Sequence, residues 1–368
     1  MSVFSVVGSV IFFLFNLYNY KSLAKNILLR KFSSVLLLFF TLIFTFELAF
    51  FLHLTNTSQL LYEIAVYSIG FSFMAFCILA PCDLVLKFIE KRQKNHREIL
   101  NFCFDCFVLL SIVLYVGYGA FNALYNLQIT KREVKIKGLE APLKIALISD
   151  THIGQMLKKD FSQQLVNKIN ALKPDMVFIV GDFIDTKASN LQDSLDPFLD
   201  LNSTYGTFYV SGNHEYYNGI NALTNKIKAL NFNILENFSL KVAGINIAGV
   251  NDIAGLQFGV NEPDFNASLN STDPNAPTIL LTHQPRSIKL IDKELLKGVD
   301  LILSGHTHGG QIFPFSLLVW IQQGYLYGQY NLSERTKLII TSGAGFWGPA
   351  MRIGSHSEIV ELNLIPSR

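Results

Sequence analysis

The segment LKIALISDTH, residues 143–152, decides the fold of the C-terminal part of this chain. Its first six residues are mostly apolar, as in a strand buried within a sheet, and a polar run follows at once. Residues two apart on extended backbone point to the same side, so Asp150 and His152 can bind one metal ion together. The segment therefore predicts a buried strand that ends in a pair of metal ligands.

The same arrangement of an apolar run followed by polar residues recurs along the chain. We predict further buried strands at 176–180, 207–210, 245–250, 278–281 and 301–303. Between the strands at 143–148 and 176–180, residues 161–172 have helical spacing, and Pro174 ends the helix. Strands that alternate with helices predict an α/β layered fold, in which polar residues at the carboxyl ends of the strands converge.

The polar residues at five of these strand ends form a chemically consistent set. Asp182 is the natural bridge between two cations, because a carboxylate has two oxygens. Mixed nitrogen and oxygen ligands without sulfur favour Mn, Fe or Zn over Ca or Mg. All four cysteines lie between residues 77 and 106, outside this region. The predicted metal ligands are Asp150, His152, Asp182, Asn213, His283, His306 and His308.

Five motifs resemble those of the calcineurin-like metallophosphoesterases, in the order of that family and over about residues 143–365. They are Asp150-x-His152, Gly181-Asp182-x-x-Asp185, Gly212-Asn213-His214-Glu215, Thr282-His283 and Gly305-His306-Thr307-His308. Three further stretches resemble the membrane-associated bacterial branch of the family: Gly309-Gly310-Gln311, Gly343-Ala344-Gly345 and Arg352-Ile353-Gly354. Glu215 stands where the broader family often has Asp.

The resemblance implies a four-layer α/β sandwich of two β-sheets flanked by helices, and two divalent or trivalent metal ions. One ion resembles the family site held by Asp150, His152 and His308. The other resembles the site held by Asn213, His283 and His306, with Asp182 as the bridge. His214 matches the catalytic histidine of the family. Asp185 is expected to orient a metal ligand by a hydrogen bond.

The expected chemistry is metal-dependent hydrolysis of a phosphoester or pyrophosphate bond. Two cations about 3.5–4 Å apart lower the pKa of a bridging water and hold the phosphate oxygens during in-line attack. Hydroxide from that water is the expected nucleophile. His214 can donate a proton to the leaving oxygen or stabilise the charge of the phosphoryl group.

The N-terminal part has a membrane composition, with most of the 31 phenylalanines of the chain before about residue 125. Crossing a hydrocarbon core takes about 20 mostly apolar residues. The first apolar run has no preceding basic residue and no small-residue cleavage site after it, so we expect an anchor that is retained. We predict a bundle of four transmembrane helices within residues 1–125, near 3–20, 33–54, 59–82 and 101–124, then a linker at 126–141 and the catalytic domain at 142–368.

Basic residues set the expected orientation, because they favour the cytoplasmic side of a membrane. They cluster between the first two segments, from Lys21 to Lys31, and between the last two, from Lys87 to Arg97. This places both loops inside and the catalytic domain on the exoplasmic, periplasmic side of an inner membrane. Lys131, Arg132, Lys135 and Lys137 follow the last segment and act against this orientation.

Several interpretations stay open at this point. The net charge of +2 and the absence of a basic stripe give no indication of a nucleic-acid partner. The anchor favours a lipid-linked or envelope substrate over soluble phosphoproteins or nucleotides. A catalytically silent scaffold tethered to the membrane is a further alternative, although it should lack ligands or His214.

Three groups of residues outside the metal motifs also have two interpretations each. Glu47, Glu63 and Asp105 in the apolar region are either paired structural groups or functional ones. The pair Gly309-Gly310 is either a simple turn or faces the substrate. Phe346 and Trp347 either pack within a loop or contact an acyl chain or the bilayer.

Overall fold

The computed structural model describes residues 3–92 and 97–367. The chain divides into two compact units. The helical unit comprises the chain up to Leu124 together with Trp347–Met351, and the catalytic unit comprises Tyr125–Phe346 and the C-terminal segment from Arg352. Trp347 is thus part of the helical unit, whereas Phe346 is buried in the catalytic unit.

The described part of the helical unit contains four α-helices. They are α1 Val3–Leu23, α2 Ser33–Phe51, α3 Gln59–Arg92 and α4 Arg97–Tyr125. Within the described residues, three spans are long and apolar enough to cross a membrane: Arg30–Phe51, Gln59–Ile89 and Asn101–Tyr125. The prediction of four transmembrane helices is therefore confirmed for three, and the first segment, 3–20, forms a helix that is not among them.

Helix α1 contacts its neighbours through polar as well as apolar groups. The side-chain amide of Asn16 donates to Glu47, and that of Asn19 donates to the Ser72 carbonyl at 2.9 Å. Both asparagines are buried. These polar residues lower the apolarity of the α1 sequence.

The three acidic residues of the apolar region all have hydrogen-bond donors. Glu47 accepts from Asn16, and Glu63 accepts from the amide of Gln59 at 2.7 Å. Asp105 accepts from the backbone N–H of Ile27 at 2.6 Å. These contacts favour the interpretation of the three acids as paired structural groups.

The catalytic unit contains two six-stranded sheets and one two-stranded sheet. The strands are β1 Leu127–Lys137, β2 Leu143–Ile148, β3 Ile153–Gly154, β4 Met176–Val180, β5 Ile184–Asp185, β6 Thr207–Val210, β7 Asn233–Ile234, β8 Phe238–Val242, β9 Ile245–Gly249, β10 Thr278–Leu281, β11 Leu301–Ser304, β12 Gly328–Asn331, β13 Lys337–Ile340 and β14 Ser357–Ser367. The helices are α5 Lys159–Leu172, α6 Asn213–Asn218, α7 Ile220–Lys228, α8 Ala254–Phe258, α9 Phe265–Asn270, α10 Lys293–Leu296 and α11 Ser316–Gln323.

The two large sheets pack against each other and carry helices on their outer faces. Their strand orders are β1-β14-β2-β4-β6-β7 and β12-β13-β11-β10-β9-β8. One buried cluster joins the facing sides, with Leu147 and Phe178 from the first sheet and Leu281 and Leu303 from the second. Separate clusters pack α5 and α7 on the first sheet and α9 on the second. The architecture is an α/β fold whose sheets are flanked by helices.

The strands that precede the polar motifs are parallel neighbours. β2, β4 and β6 are consecutive in the first sheet, and β9, β10 and β11 in the second. Strands covered on both faces have nearly continuous apolar sequences, which is why the sequence locates them correctly. The predicted helix also forms, although it begins two residues earlier, at Lys159.

The segment 126–141 is not a linker over most of its length. Residues 127–137 form β1, which pairs in parallel with β14 from Leu127↔Ser357 to Lys137↔Ser367. Val134 and Ile136 are buried, while Lys135 and Lys137 are exposed, as the two faces of one strand require. β1 is an edge strand rich in charge, so its sequence lacks the apolar run that identified the central strands.

Candidate metal centre

The predicted ligands sit where the chain turns sharply at the strand ends. Five of them have a positive φ: Asp150 at 53°, His152 at 46°, Asp182 at 48°, His306 at 69° and His308 at 50°. Non-glycine residues rarely adopt this conformation, and such strain concentrates at functional sites. The backbone is therefore held in an unfavourable form where the side chains converge.

Two glycines permit the close approach of the ligand loops. A Cβ atom on Gly212 would lie 2.3 Å from the amide nitrogen and Oδ1 of Asp182. A Cβ atom on Gly305 would lie 2.4 Å from Oδ2 of Asp150. Both positions exclude any larger residue, because a side chain would displace a predicted ligand.

One group of donors consists of Asp150, His152 and His308. Nε2 of His308 lies 3.3 Å from Oδ1 of Asp150 and 3.0 Å from Nε2 of His152. All three residues are buried, at the ends of β2 and β11. Three donor atoms at these separations can surround a single ion.

A second group consists of Asp182, His283 and His306. Nε2 of His283 lies 3.1 Å from Oδ2 of Asp182 and 3.3 Å from Nδ1 of His306. The two groups adjoin, because Oδ2 of Asp182 is also 3.9 Å from Nε2 of His152. Asp182 thus lies between them, as a bridging carboxylate would.

The polar groups in the second set fit a bound cation. Nδ1–H of His283 donates to the Val180 carbonyl at 2.8 Å, so in the neutral ring Nε2 carries a lone pair facing the Asp182 carboxylate. That contact is repulsive unless a proton or a metal ion lies between the two atoms. Oδ1 of Asn213 is buried without a hydrogen-bond partner in the described structure. An ion held by Asn213, His283, His306 and Asp182 would satisfy both.

Asp185 connects the metal groups to His214. Its Oδ1 lies 2.6 Å from Nδ1 of His214, and its Oδ2 lies 3.5 Å from Nδ1 of His152. Burial disfavours the charged imidazole, but the carboxylates of Asp185 and Asp182 outweigh it and raise the pKa of His214 to about 10. A protonated His214 beside the donor groups can give a proton to a leaving oxygen.

Glu215 organises the loops beneath the site. Its carboxylate accepts hydrogen bonds from the backbone N–H groups of Gly212 at 2.7 Å, Ile184 at 2.9 Å and Asp182 at 3.2 Å. Burial and the nearby Asp182 carboxylate raise its pKa to about 8. The longer side chain of Glu, compared with Asp, reaches three amides from two separate loops.

Arg352 supports the site structurally, a role that the sequence did not predict beyond the family resemblance of the stretch Arg352-Ile353-Gly354. Its fully buried guanidinium donates to the carbonyls of Gly345 at 2.6 Å, Ser342 at 2.7 Å and His308 at 3.0 Å, and Nη2 lies 3.1 Å from Nδ1 of His308. The backbone N–H of Gly345 in turn donates to the Asp150 carbonyl at 2.9 Å. Arg352 therefore ties the loop of His308 to the loop behind Asp150.

A buried hydrogen-bond chain lies beyond His283 and was not predicted. Gln284 Nε2 donates to Oδ1 of Asp252 at 2.8 Å, and Arg286 Nε donates to Gln284 Oε1 at 3.0 Å. Burial raises the pKa of Asp252 to about 6. Asp252 follows β9, the predicted strand with no assigned ligand, so its position at a strand end was the available signal.

The structure brings six of the seven predicted ligands together with His214 and Asp185, in adjacent groups at the carboxyl ends of strands from both sheets. Asn213 precedes His214 at the start of α6. Gly309 and Gly310 have φ values of 59° and 81° and are buried, and a Cβ on Gly310 would meet Ser316 at 2.2 Å. This packing favours the turn interpretation of the glycine pair.

Comparisons with known proteins give the same family. The family model described as calcineurin-like phosphoesterase matches residues 143–310. An uncharacterized metallophosphoesterase of Campylobacter jejuni is 41% identical over 98% of each chain. The chain belongs to the calcineurin-like metallophosphoesterase family. A metallophosphoesterase of Helicobacter pylori is 34% identical over 98% of each chain.

Relatives of this metallophosphoesterase extend to animals. A Bos taurus protein described as a transmembrane protein with metallophosphoesterase domain is 34% identical, over 70% of this chain and 61% of that one. Family membership supports phosphoester hydrolysis in general, and the His and Asp groups suit a divalent metal ion. Together with the three apolar spans, the likeness to this relative indicates a membrane protein.

Proposed function

We propose that this metallophosphoesterase is a membrane-anchored enzyme with two metal ions that hydrolyses a phosphoester or pyrophosphate bond on a lipid-linked or envelope substrate. The observation that carries the proposal is the pair of donor groups on either side of Asp182. Each group offers enough nitrogen and oxygen donors for one ion, and both open next to His214. A single structural ion would need only one group.

The chain contributes the two ligand sets and the acid. Asp150, His152 and His308 would hold one ion, and Asn213, His283 and His306 the other, with Asp182 shared. Bound ions would supply Lewis-acid activation of water and neutralise charge on the phosphate. His214, kept protonated by Asp185, gives its proton to the leaving oxygen. Arg352 and Glu215 hold the ligand loops in place through hydrogen bonds to their backbone groups.

Location supports a lipid-linked substrate over a soluble one. Three spans long enough to cross a bilayer keep the site near lipid at all times. The basic loops before α2 and between α3 and α4 favour an exoplasmic catalytic domain, and this orientation is unchanged if α1 does not cross the membrane. A C-terminal fusion to a reporter that functions only outside the cytoplasm should therefore be active. Activity of a reporter that functions only in the cytoplasm would contradict the orientation.

A substrate panel on the purified full-length protein tests the reaction. Mn, Fe or Zn would be added in turn to a generic diester, bis-p-nitrophenyl phosphate, and to soluble nucleotides, phosphoproteins and nucleotide-sugar lipids. We expect metal-dependent turnover with a preference for a lipid substrate. Equal rates on soluble and lipid substrates would remove the lipid assignment and leave the chemistry in place.

Two variants and a control test the roles of the residues. Asp182→Asn removes the shared negative charge, and His214→Ala removes the acid, so both should lose most turnover on a substrate whose leaving oxygen needs a proton. Asp193→Asn is the matched control, because this exposed carboxylate pairs with Lys159 on the surface. Full turnover by Asp182→Asn or His214→Ala would refute the mechanism.

A further inference from the structure

Helix α11 turns its apolar side chains toward solvent and its polar end inward. The exposed residues are Leu317 at 56%, Leu318 at 60%, Trp320 at 56% and Ile321 at 71%. Gln323, in contrast, is fully buried, and its Oε1 accepts a hydrogen bond from the backbone N–H of Arg286 at 3.4 Å. A surface helix of a water-soluble domain has the opposite arrangement. This face of α11 is suited to apolar surroundings.

The sequence around α11 is uncharged as well as apolar. No Asp, Glu, Lys or Arg occurs from residue 309 to residue 333. Six of the nine residues from Phe313 to Ile321 are large apolar residues with exposed side chains. Elsewhere in the described part of the catalytic unit, Tyr217 and Phe258 form a smaller exposed aromatic contact. A contiguous exposed group marks a binding surface.

A lipid bilayer is the partner that the chain itself provides. Asn126 is the only residue between α4 and β1. The catalytic unit is therefore joined through a single residue to α4, which contains a span that can cross a membrane. Tryptophan is enriched at the boundary between water and lipid, where its ring is partly apolar and its N–H is polar. Trp320 on α11 matches that preference.

We propose that α11 is an interfacial helix whose exposed face inserts into the bilayer surface. Interfacial helices bury their apolar face about 5–10 Å deep, between the headgroups and the acyl chains. Many such helices also attract anionic lipids through Lys and Arg, which this segment lacks. Burial of apolar surface therefore provides the binding, so neutral lipids suffice and salt has little effect.

Insertion of α11 would fix the position of the metal centre relative to the lipid. Ser316, the first residue of the helix, packs against Gly310 with no room for a Cβ atom between them. After the helix, the hydroxyl of Thr307 donates to the Leu326 carbonyl. Both contacts fix α11 to the loop that carries His306 and His308. An inserted α11 holds the site at the lipid surface, and this consequence rests on the proposed function.

Fluorescence of Trp320 tests the insertion without measuring activity. The chain has two tryptophans, Trp320 and Trp347, so the variant Trp347→Phe reports on Trp320 alone. The full-length variant would be placed in neutral phosphatidylcholine vesicles that contain lipids brominated either near the headgroup or near the chain end. We expect blue-shifted emission, strong quenching by the first lipid, weaker quenching by the second, and little quenching by acrylamide in the water. If Trp347→Phe does not fold, the difference between wild type and Trp320→Phe gives the same signal.

A tryptophan on the opposite outer layer is the control. Leu199 is exposed and packs with the α5 side of the first sheet, so Leu199→Trp in a Trp320→Phe, Trp347→Phe background should be quenched by acrylamide and not by brominated lipid. Quenching of Trp320 by acrylamide instead of lipid would overturn the proposal. Protection from both quenchers would also overturn it, because a second copy or another part of the protein would then cover α11. Insertion without turnover would contradict only the proposed function.

Discussion

Nδ1 of His214 lies 2.6 Å from Oδ1 of Asp185, and the same carboxylate reaches His152 through its other oxygen. One side chain thus contacts both the candidate acid and a candidate metal ligand. The pair keeps His214 charged inside a buried site, which is the state that a general acid needs before the leaving oxygen departs.

Replacing Asp185 should change the pH dependence of turnover. The carboxylate is a principal reason why the pKa of His214 is raised to about 10, so Asp185→Asn should lower that pKa. Activity that needs the protonated ring is present below the pKa and is lost as the pH rises through it. The basic limb of the kcat profile should therefore move to lower pH in Asp185→Asn. An unmoved basic limb would show that His214 is not the titrating acid.

Removing His214 should affect poor leaving groups most. General acid catalysis contributes about 10²–10⁴-fold when the leaving oxygen needs a proton. The loss of kcat in His214→Ala should be much smaller with p-nitrophenolate, which leaves without protonation, than with an alkyl alcohol. Steady-state kinetics on two diesters that differ only in the leaving group measure this. Equal losses on both diesters would argue for charge stabilisation instead.

Arg352 should control one metal position more than the other. Its guanidinium joins the loop of His308 to the loop behind Asp150, and both of these residues belong to the first donor group. Loss of a residue that orients a ligand typically lowers metal affinity about 10–100-fold. Arg352→Gln should therefore lose one ion on dialysis and keep the other, as measured by elemental analysis. Arg352→Lys retains charge without the planar fork and should restore little.

Glu215 should matter for stability. Glu215→Ala leaves three buried N–H groups without their acceptor, and each unsatisfied group costs about 1–3 kcal/mol. We expect a large fall in the free energy of unfolding, with Asp182 and Asn213 misplaced. Thermal unfolding of the metal-free protein measures it, so that lost ions do not contribute. Glu215→Asp is the comparison, because the shorter acid of the wider family keeps a carboxyl group at this position.

Metal binding should release protons at neutral pH. Burial opposes the charged ring of His283, but the Asp182 and Asp150 carboxylates outweigh burial and raise its pKa well above the usual value. The metal-free ring therefore holds a proton that the ion must displace, and affinity should rise with pH. Calorimetry in buffers of different ionisation enthalpy would detect the released proton. A binding enthalpy independent of the buffer would contradict this account.

The elements that could be predicted from the sequence are those whose residues are nearly all apolar. The buried parallel strands are apolar throughout, and the turn that follows each one carries its ligands, so Asp150, Asp182 and His283 were identifiable. Strand β1 was missed because it lies at a sheet edge and mixes charges with its buried Val134 and Ile136. The pairing that stabilises it, with β14, joins residues more than 200 positions apart. Local patterns contain no trace of such a partner.

Positioning residues were harder to predict than ligands. Arg352 lies 44 residues from His308 in sequence, and its role depends on carbonyl groups that no residue type reveals. Asp252 and Gln284 each follow a predicted strand, but only the fold brings the two side chains together. Helix α11 was overlooked for the opposite reason, since the apolar stretch Leu317–Ile321 is typical of a buried segment and only the structure reveals its exposure.

Crystallographic anomalous scattering at the Mn edge, from the full-length protein loaded with Mn, tests the central claim most directly. The account predicts two peaks, one among Asp150, His152 and His308 and the other among Asn213, His283 and His306, with Asp182 between them. A single peak, or peaks away from these side chains, would contradict it.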